Sequence, residues 1–84
     1  DLVVVITGAT GGLGQAIVHV VLEVGGFVVA VDRDPVALAT LVQQKLKYEN
    51  KIRTVVADFA DLESVARAAK EVAQQVTRVD ILVN

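Results

Sequence analysis

The sequence predicts an α/β fold, a four-stranded parallel sheet in the order 3-2-1-4 with helices on both faces. Two observations predict it. Short apolar runs rich in valine alternate with longer stretches in which apolar residues recur at helical spacing. The apolar runs are also nearly continuous, as in strands buried on both faces, whereas a sheet with one face in water would alternate. The predicted strands are residues 2–6, 27–31, 52–57 and 80–84.

Three helices are predicted between these strands, at residues 13–24, 35–46 and 62–76. Gly25-Gly26 ends the first helix, and Asp34-Pro35 supplies an N-cap and a proline at the first position of the second. Asp61 caps the third. The residues predicted to face the core are Leu13, Ile17, Val20, Val21 and Val24, then Leu38, Leu41, Val42 and Leu46, then Val65, Ala68, Ala69, Val72 and Val76.

The composition limits the classes of function. Eighty-four residues allow one domain, and the net charge of −2 with 4% aromatic residues does not favour nucleic acid as a partner. No apolar run is as long as a membrane span, so we expect no membrane interaction. The chain has no cysteine, which suits a reducing compartment, and we expect a cytoplasmic protein.

A glycine-rich turn, Thr7-Gly8-Ala9-Thr10-Gly11-Gly12-Leu13-Gly14, joins the first strand to the first helix. The first amides of a helix lack intrahelical partners and lie at the positive end of its dipole, so this arrangement is typical of a phosphate site. It is not a P-loop, because it contains no lysine. It is not a G-x-G-x-x-G fingerprint either, because Ile17 stands in the place of the third glycine. A glycine turn without a ligand is the alternative.

Asp32 ends the second predicted strand, about 20 residues beyond the glycines. An acidic side chain at this position accepts hydrogen bonds from the ribose hydroxyls of NAD. The alternative is a helix cap, but Asp34 already serves that purpose. Arg33 complicates the prediction, since a basic residue here could hold the 2′-phosphate of NADP.

The pattern T-G-x-x-x-G-x-G, carried by Thr7, Gly8, Gly12 and Gly14, resembles that of the short-chain dehydrogenase/reductase family. The last predicted strand, residues 80–84, is similar to the family segment D-[IVL]-L-V-N-N-A-G. The resemblance implies that residues 1–84 form the N-terminal half of a Rossmann-like domain that binds NAD(P), truncated after the fourth strand.

The resemblance also implies a cofactor site. NADP-preferring relatives often carry Arg or Lys where this chain has Gly11, so NAD is the expected cofactor and NADP the less favoured one. Asp58 matches the position of an aspartate that contacts the adenine amino group, with a solvated loop carboxylate as the alternative. The residues predicted to bind the cofactor are Thr7, Gly8, Thr10, Gly12, Leu13, Gly14, Asp32, Arg33, Asp58, Phe59 and Asn84.

In the family, a tyrosine, a lysine four residues later and a serine support hydride transfer between nicotinamide and a carbonyl or alcohol. The one tyrosine here is Tyr48, and Ile52 stands four residues after it. The one serine, Ser64, is predicted in the first turn of the third helix. We therefore predict neither a catalytic residue nor a metal ligand in this chain, and expect the catalytic residues beyond Asn84.

Three functions remain open from the sequence. The chain is a half-domain that binds NAD, a natural or engineered fragment without useful cofactor affinity, or a part of an enzyme completed by another chain. The apolar run Ile81-Leu82-Val83 is expected to form an unpaired sheet edge. We therefore predict a homodimer or larger assembly through that edge.

Overall fold

The fold is a four-stranded parallel sheet between two layers of helices, in a computed structural model that describes residues 1–84. The elements are β1 (Val3–Thr7), α1 (Gly12–Glu23), β2 (Phe27–Asp32), α2 (Pro35–Gln43), a 3₁₀ turn (Leu46–Tyr48), β3 (Ile52–Val56), α3 (Leu62–Gln75) and β4 (Ile81–Val83). None of the helices has the length and apolar character needed to cross a lipid bilayer.

The strand order is β3-β2-β1-β4, and every neighbouring pair is parallel, as the sequence predicts. Thr7 at the end of β1 is in register with Val31 of β2, and Ile6 is in register with Val83 of β4. Because the strands are parallel, their carboxyl ends meet at one edge of the sheet, where ligands of such folds bind.

Side chains that alternate along the strands build a separate core on each face of the sheet. α1 and α2 cover one face, and α3 covers the other. The core on the α1 and α2 face contains Val4, Ile6, Ala9, Val18, Val21, Leu22, Val28, Ala30, Leu38, Leu41 and Ile52. The core on the α3 face contains Val5, Val29, Val31, Val55, Ala57 and Ala68. Helices on both faces confirm the predicted layers.

The predicted buried face of α1 is confirmed at Val21 and Ile17 but wrong at its other three residues. Leu13, Val20 and Val24 are exposed, while the buried residues are Gly14, Val18, Val21 and Leu22, with Ile17 half-buried. The helix is apolar around most of its circumference, so its sequence fits two adjacent stripes at helical spacing. Gly14, which has no side chain, packs on the turn before the helix and selects the second stripe.

The other two helices follow the prediction more closely. Leu38 and Leu41 of α2 are buried, but the helix ends at Gln43, so Leu46 lies in the 3₁₀ turn and is exposed. In α3, Ala68 is buried, while Ala69 is exposed rather than buried as predicted. Val65, Val72 and Val76 are half-buried on the same side as Ala68.

The predicted N-caps of α2 and α3, and the glycine that follows α1, are confirmed by their geometry. Asp34 Oδ1 accepts hydrogen bonds from the amides of Val36 and Ala37, and Asp61 Oδ1 accepts one from Glu63. Gly25 follows α1 with φ +85°, a left-handed conformation that suits glycine after a helix.

β4 is joined to the start of β1 by a carboxylate. The Val3 amide donates to Asp80 Oδ2 at 2.8 Å, and the Asp80 amide donates to the Val3 carbonyl at 2.9 Å. The hydrogen bond from Val3, then that from Arg78, lowers the pKa of Asp80 below the ordinary aspartate value. Ile81 and Leu82 of β4 remain exposed.

Candidate functional site

The turn between β1 and α1 is held tightly by its own backbone. Gly8 has φ +64°, a conformation that favours glycine, and its carbonyl accepts a hydrogen bond from the Gly11 amide at 3.1 Å. The Ala9 amide donates to the Val31 carbonyl at 3.3 Å. These bonds fix the turn over the carboxyl ends of β1 and β2.

The glycines of the turn differ in the reason for having no side chain. A Cβ at Gly14 would overlap the carbonyl oxygen of Gly8 and come within 2.8 Å of the Cα of Ala9. A Cβ at Gly12 would have no atom within 4 Å apart from those of the adjoining backbone. The absence of a side chain at Gly14 is therefore a packing requirement, while at Gly12 it leaves open space in front of the helix.

Three backbone amides at the start of α1 have no hydrogen-bond partner in the protein, those of Gly12, Leu13 and Gly14. No acidic residue lies in the first turn of the helix, and its N-cap, Gly11, has no capping side chain. The positive end of this 12-residue helix therefore carries neither an acidic residue in its first turn nor a capping side chain. This arrangement is suited to an anion.

Asp32, at the end of β2, faces this turn. Its Oδ2 accepts hydrogen bonds from the Thr10 hydroxyl at 2.6 Å and the Thr10 amide at 3.0 Å, and its Oδ1 accepts one from the Arg33 amide at 2.7 Å. Partial burial raises the pKa of Asp32, but these three hydrogen bonds outweigh it. The pKa therefore lies below the ordinary aspartate value, and the side chain is ionised at neutral pH.

A cleft of about 260 Å³ opens beside Asp32. It is lined by Gly8, Asp32, Arg33, Ala57, Asp58, Phe59 and Ala60. Asp58 follows β3, and its amide donates to the hydroxyl of Ser64 at 2.8 Å, while its Oδ1 accepts from the Ala60 amide at 3.0 Å. The Phe59 ring is exposed to the cleft.

A second cleft, of about 320 Å³, lies on the other side of Gly8. It is lined by Ile6, Thr7, Gly8, Gly11, Gly12, Leu13, Gly14, Ile17, Val83 and Asn84. The Thr7 hydroxyl is 3.1 Å from both the Val83 carbonyl oxygen and Asn84 Oδ1, so it connects the end of β1 with the end of β4.

The residues predicted to bind the cofactor therefore lie together at the carboxyl ends of the strands. Ten of the eleven line the two clefts, and Thr10 contacts Asp32 between them. Sequence reasoning missed Ser64 as the residue that holds the Asp58 amide. It also missed Gln15, whose Nε2 donates to the Thr10 carbonyl at 2.7 Å. Helical spacing in the sequence gives no signal for this contact between Gln15 and the turn.

The fold and the glycine turn define a Rossmann-like α/β domain. The sequence model of the short chain dehydrogenase family matches residues 2–84. The chain belongs to the short-chain dehydrogenase/reductase family.

Relatives and solved structures agree with this assignment. The chain is 42% identical over 88 residues to Dehydrogenase/reductase SDR family member 7B of Xenopus laevis, covering 98% of this chain and 27% of that protein. Among solved structures, the N-domain of a bacterial malonyl-CoA reductase with NADP is 38% identical, with a TM-score of 0.92, covering 100% of this chain and 16% of the other. The 3-ketoacyl-(acyl-carrier-protein) reductase of Brucella melitensis complexed with NADH is 28% identical, with a TM-score of 0.85, covering 98% of this chain and 32% of the other. The chain thus spans about a third or less of the length of these proteins.

Proposed function

We propose that this chain is the NAD-binding N-terminal half of a short-chain dehydrogenase/reductase domain. The observation that carries the proposal is the set of three unpartnered amides at Gly12, Leu13 and Gly14, at the positive end of α1. A pyrophosphate bound there accepts hydrogen bonds from amides that have no other partner. Two similar structures are complexes with NADP and with NADH, which supports a nicotinamide dinucleotide as the ligand.

The adenosine half of the dinucleotide fits the cleft beside Asp32. An ionised carboxylate is a strong acceptor for ribose hydroxyls, and Asp32 lies at the end of the strand next to the glycine turn. The adenine ring would lie beside Asp58 and Phe59, which place a carboxylate and an exposed aromatic ring along the same cleft. Ser64 holds the backbone of this loop through the Asp58 amide.

We infer a preference for NAD over NADP from the charge of Asp32. At an effective dielectric constant near 20, two unit charges about 5 Å apart interact by about 3 kcal/mol. The 2′-phosphate of NADP carries up to two negative charges, so Asp32 repels it. The adjacent Arg33 and the solvent reduce this repulsion, leaving a preference of about tenfold, or about 1.4 kcal/mol.

The reaction of the complete enzyme is proposed to be hydride transfer with a carbonyl or alcohol substrate. The bound nicotinamide ring would supply or accept the hydride. The residues of this chain would bind and orient the dinucleotide: the amides of α1 hold the pyrophosphate, and Asp32 holds the adenosine ribose. Thr7 joins β1 to β4, so that Asn84 stands at the edge of the same cleft. The proton-transferring residues are proposed to belong to a different segment.

We also propose that β4 supports self-association. β4 is an edge strand that pairs with β1 alone, and Leu82 is 60% exposed. An apolar edge strand offers unpaired backbone groups to a second copy, which can pair with it antiparallel about a two-fold axis. The cytoplasmic location expected from the sequence stays a prediction.

Calorimetric titration of the chain with NAD, ADP and adenosine tests the cofactor proposal. We expect NAD and ADP to bind with dissociation constants of roughly 0.1–1 mM, about −4 to −5.5 kcal/mol. Adenosine, which has no phosphate for the α1 amides, should bind at least tenfold more weakly. The absence of saturable ADP binding up to roughly 10 mM would favour the alternative, a fragment without useful cofactor affinity.

A further inference from the structure

The hydrogen bonds of Asp32 limit what its carboxylate offers to a ligand. A carboxylate oxygen has two lone pairs, and Oδ2 already accepts from both the hydroxyl and the amide of Thr10. Oδ1 accepts from the Arg33 amide alone, which leaves it one lone pair. The free acceptor capacity of the carboxylate is therefore one hydrogen bond rather than two.

Thr10 is held firmly in this position. Its carbonyl accepts from Gln15 Nε2 at 2.7 Å, so its amide, hydroxyl and carbonyl are all engaged within the protein. Gln15 lies in α1 and Asp32 at the end of β2, and Thr10 connects them. The bond from the Thr10 hydroxyl is short, at 2.6 Å, as expected for a hydroxyl that donates to an ionised carboxylate.

We propose that Thr10 is a positioning residue that restricts Asp32 to the recognition of a single ribose hydroxyl. The Thr10 hydroxyl takes the place at Oδ2 that a second ribose hydroxyl would need, and Oδ1 accepts from the ligand. This inference rests on the proposed function, since it concerns how Asp32 binds the adenosine ribose. It replaces the simpler expectation that the Asp32 carboxylate accepts both hydroxyls.

The experiment compares the affinities of ADP, 2′-deoxy-ADP and 3′-deoxy-ADP for the chain by calorimetry. In the parent chain, loss of one hydroxyl should weaken binding by about fivefold or more, because a charge-assisted hydrogen bond is lost. Loss of the other hydroxyl should change the affinity by less than about twofold, because it has no acceptor on Asp32.

Two variants separate the role of the hydroxyl from that of the fold. Thr10→Val keeps the shape of the side chain and the amide but frees one lone pair of Oδ2. Both deoxy analogues should then bind about fivefold or more weakly than ADP. Thr10→Ser retains the hydroxyl and should keep the one-sided pattern of the parent chain. A change in stability alone does not alter the ratio between two analogues.

Equal losses for both analogues in the parent chain would overturn the inference, as would no loss for either. An unchanged one-sided pattern in Thr10→Val would also overturn it. In each of these cases ADP binds and the proposed function stands. If the parent chain does not bind ADP at all, the proposed function fails, and this inference fails with it.

Discussion

Gly14 packs against the carbonyl of Gly8 with no room for a side chain between them. This contact fixes the distance between the first turn of α1 and the end of β1, and it determines which stripe of α1 faces the sheet. The glycine is required by the fold of the turn, independently of any ligand. A side chain at Gly14 would collide with the turn itself.

Replacing Gly14 with alanine should therefore destabilise the chain. Glycine to alanine inside a helix ordinarily stabilises by up to about 1 kcal/mol. Here the Cβ must displace backbone atoms, and we expect a net loss of about 1–3 kcal/mol in the free energy of unfolding, measured by urea denaturation. Gly12→Ala is the matched control, and its free energy of unfolding should not fall. A Gly14→Ala variant as stable as the parent would contradict the packing account.

The cofactor preference should depend on the charge of Asp32. Asp32→Asn keeps the size of the side chain and removes the charge that repels a 2′-phosphate. We expect the preference for NAD over NADP, about tenfold in the parent chain, to fall to about twofold or less. The ratio of the two dissociation constants is the measurement. A parent chain that binds NADP as tightly as NAD would show that Arg33 outweighs Asp32.

The stability of the chain should decline in acid through Asp32 and Asp80. Both have a pKa below the ordinary aspartate value in the folded chain. A lowered folded-state pKa stabilises the folded chain above the unfolded pKa, about 3.9, and this contribution disappears as the pH falls through the folded-state pKa. We therefore expect the contribution to be complete above about pH 5 and to decrease below about pH 4.

Thermal unfolding between about pH 2.5 and pH 7 measures this dependence. In Asp32→Asn and Asp80→Asn the acid-induced loss of stability should be smaller than in the parent chain, because the titrating group is absent. If both variants lose as much stability in acid as the parent chain does, the hydrogen bonds to these carboxylates contribute little to the folded state.

Self-association should depend on the edge of β4. A lysine at Leu82 places a charge on an exposed apolar edge strand, which disfavours pairing with another chain. Sedimentation velocity at tens of micromolar should show a dimer or larger assembly for the parent chain and a monomer for Leu82→Lys. Val56→Lys makes the same change on β3, the opposite edge of the sheet, and should leave the assembly intact. A parent chain that is monomeric under these conditions would contradict the proposal.

The layers were predictable because near-continuous apolar strands indicate burial on both faces, and apolar residues at helical spacing mark the helices that cover them. The strand order followed from the doubly wound fold class. The buried side of α1 was not predictable, because Val18 and Leu22 compete with Val20 and Val24 at the same spacing. A contact between Gly14 and Gly8, at the two ends of the glycine turn, decides between them. Helical periodicity carries no information about such a contact.

The positions of the site residues were predictable from the motif, but the connections between them were not. Asp32 was expected at the end of its strand with its carboxylate free for a ligand. Its hydrogen bonds to Thr10 join residues 22 positions apart, which only the folded chain brings together. Ser64 lies in the first turn of α3, as predicted, but the sequence does not show that its hydroxyl accepts a hydrogen bond from the amide of Asp58.

The central claim, that the amides at the start of α1 bind the pyrophosphate, is tested most directly by ADP titration of Gly12→Val. A Cβ at Gly12 meets no atom within 4 Å outside the adjoining backbone, so the variant should remain folded while the valine side chain occupies the open space at the start of the helix. Ala66→Val, at an exposed position of α3, is the matched control and should bind ADP as the parent chain does. We expect Gly12→Val to bind ADP at least about tenfold more weakly, about 1.4 kcal/mol, with no decrease in the free energy of unfolding. A folded Gly12→Val that binds ADP as tightly as the parent chain would contradict the account.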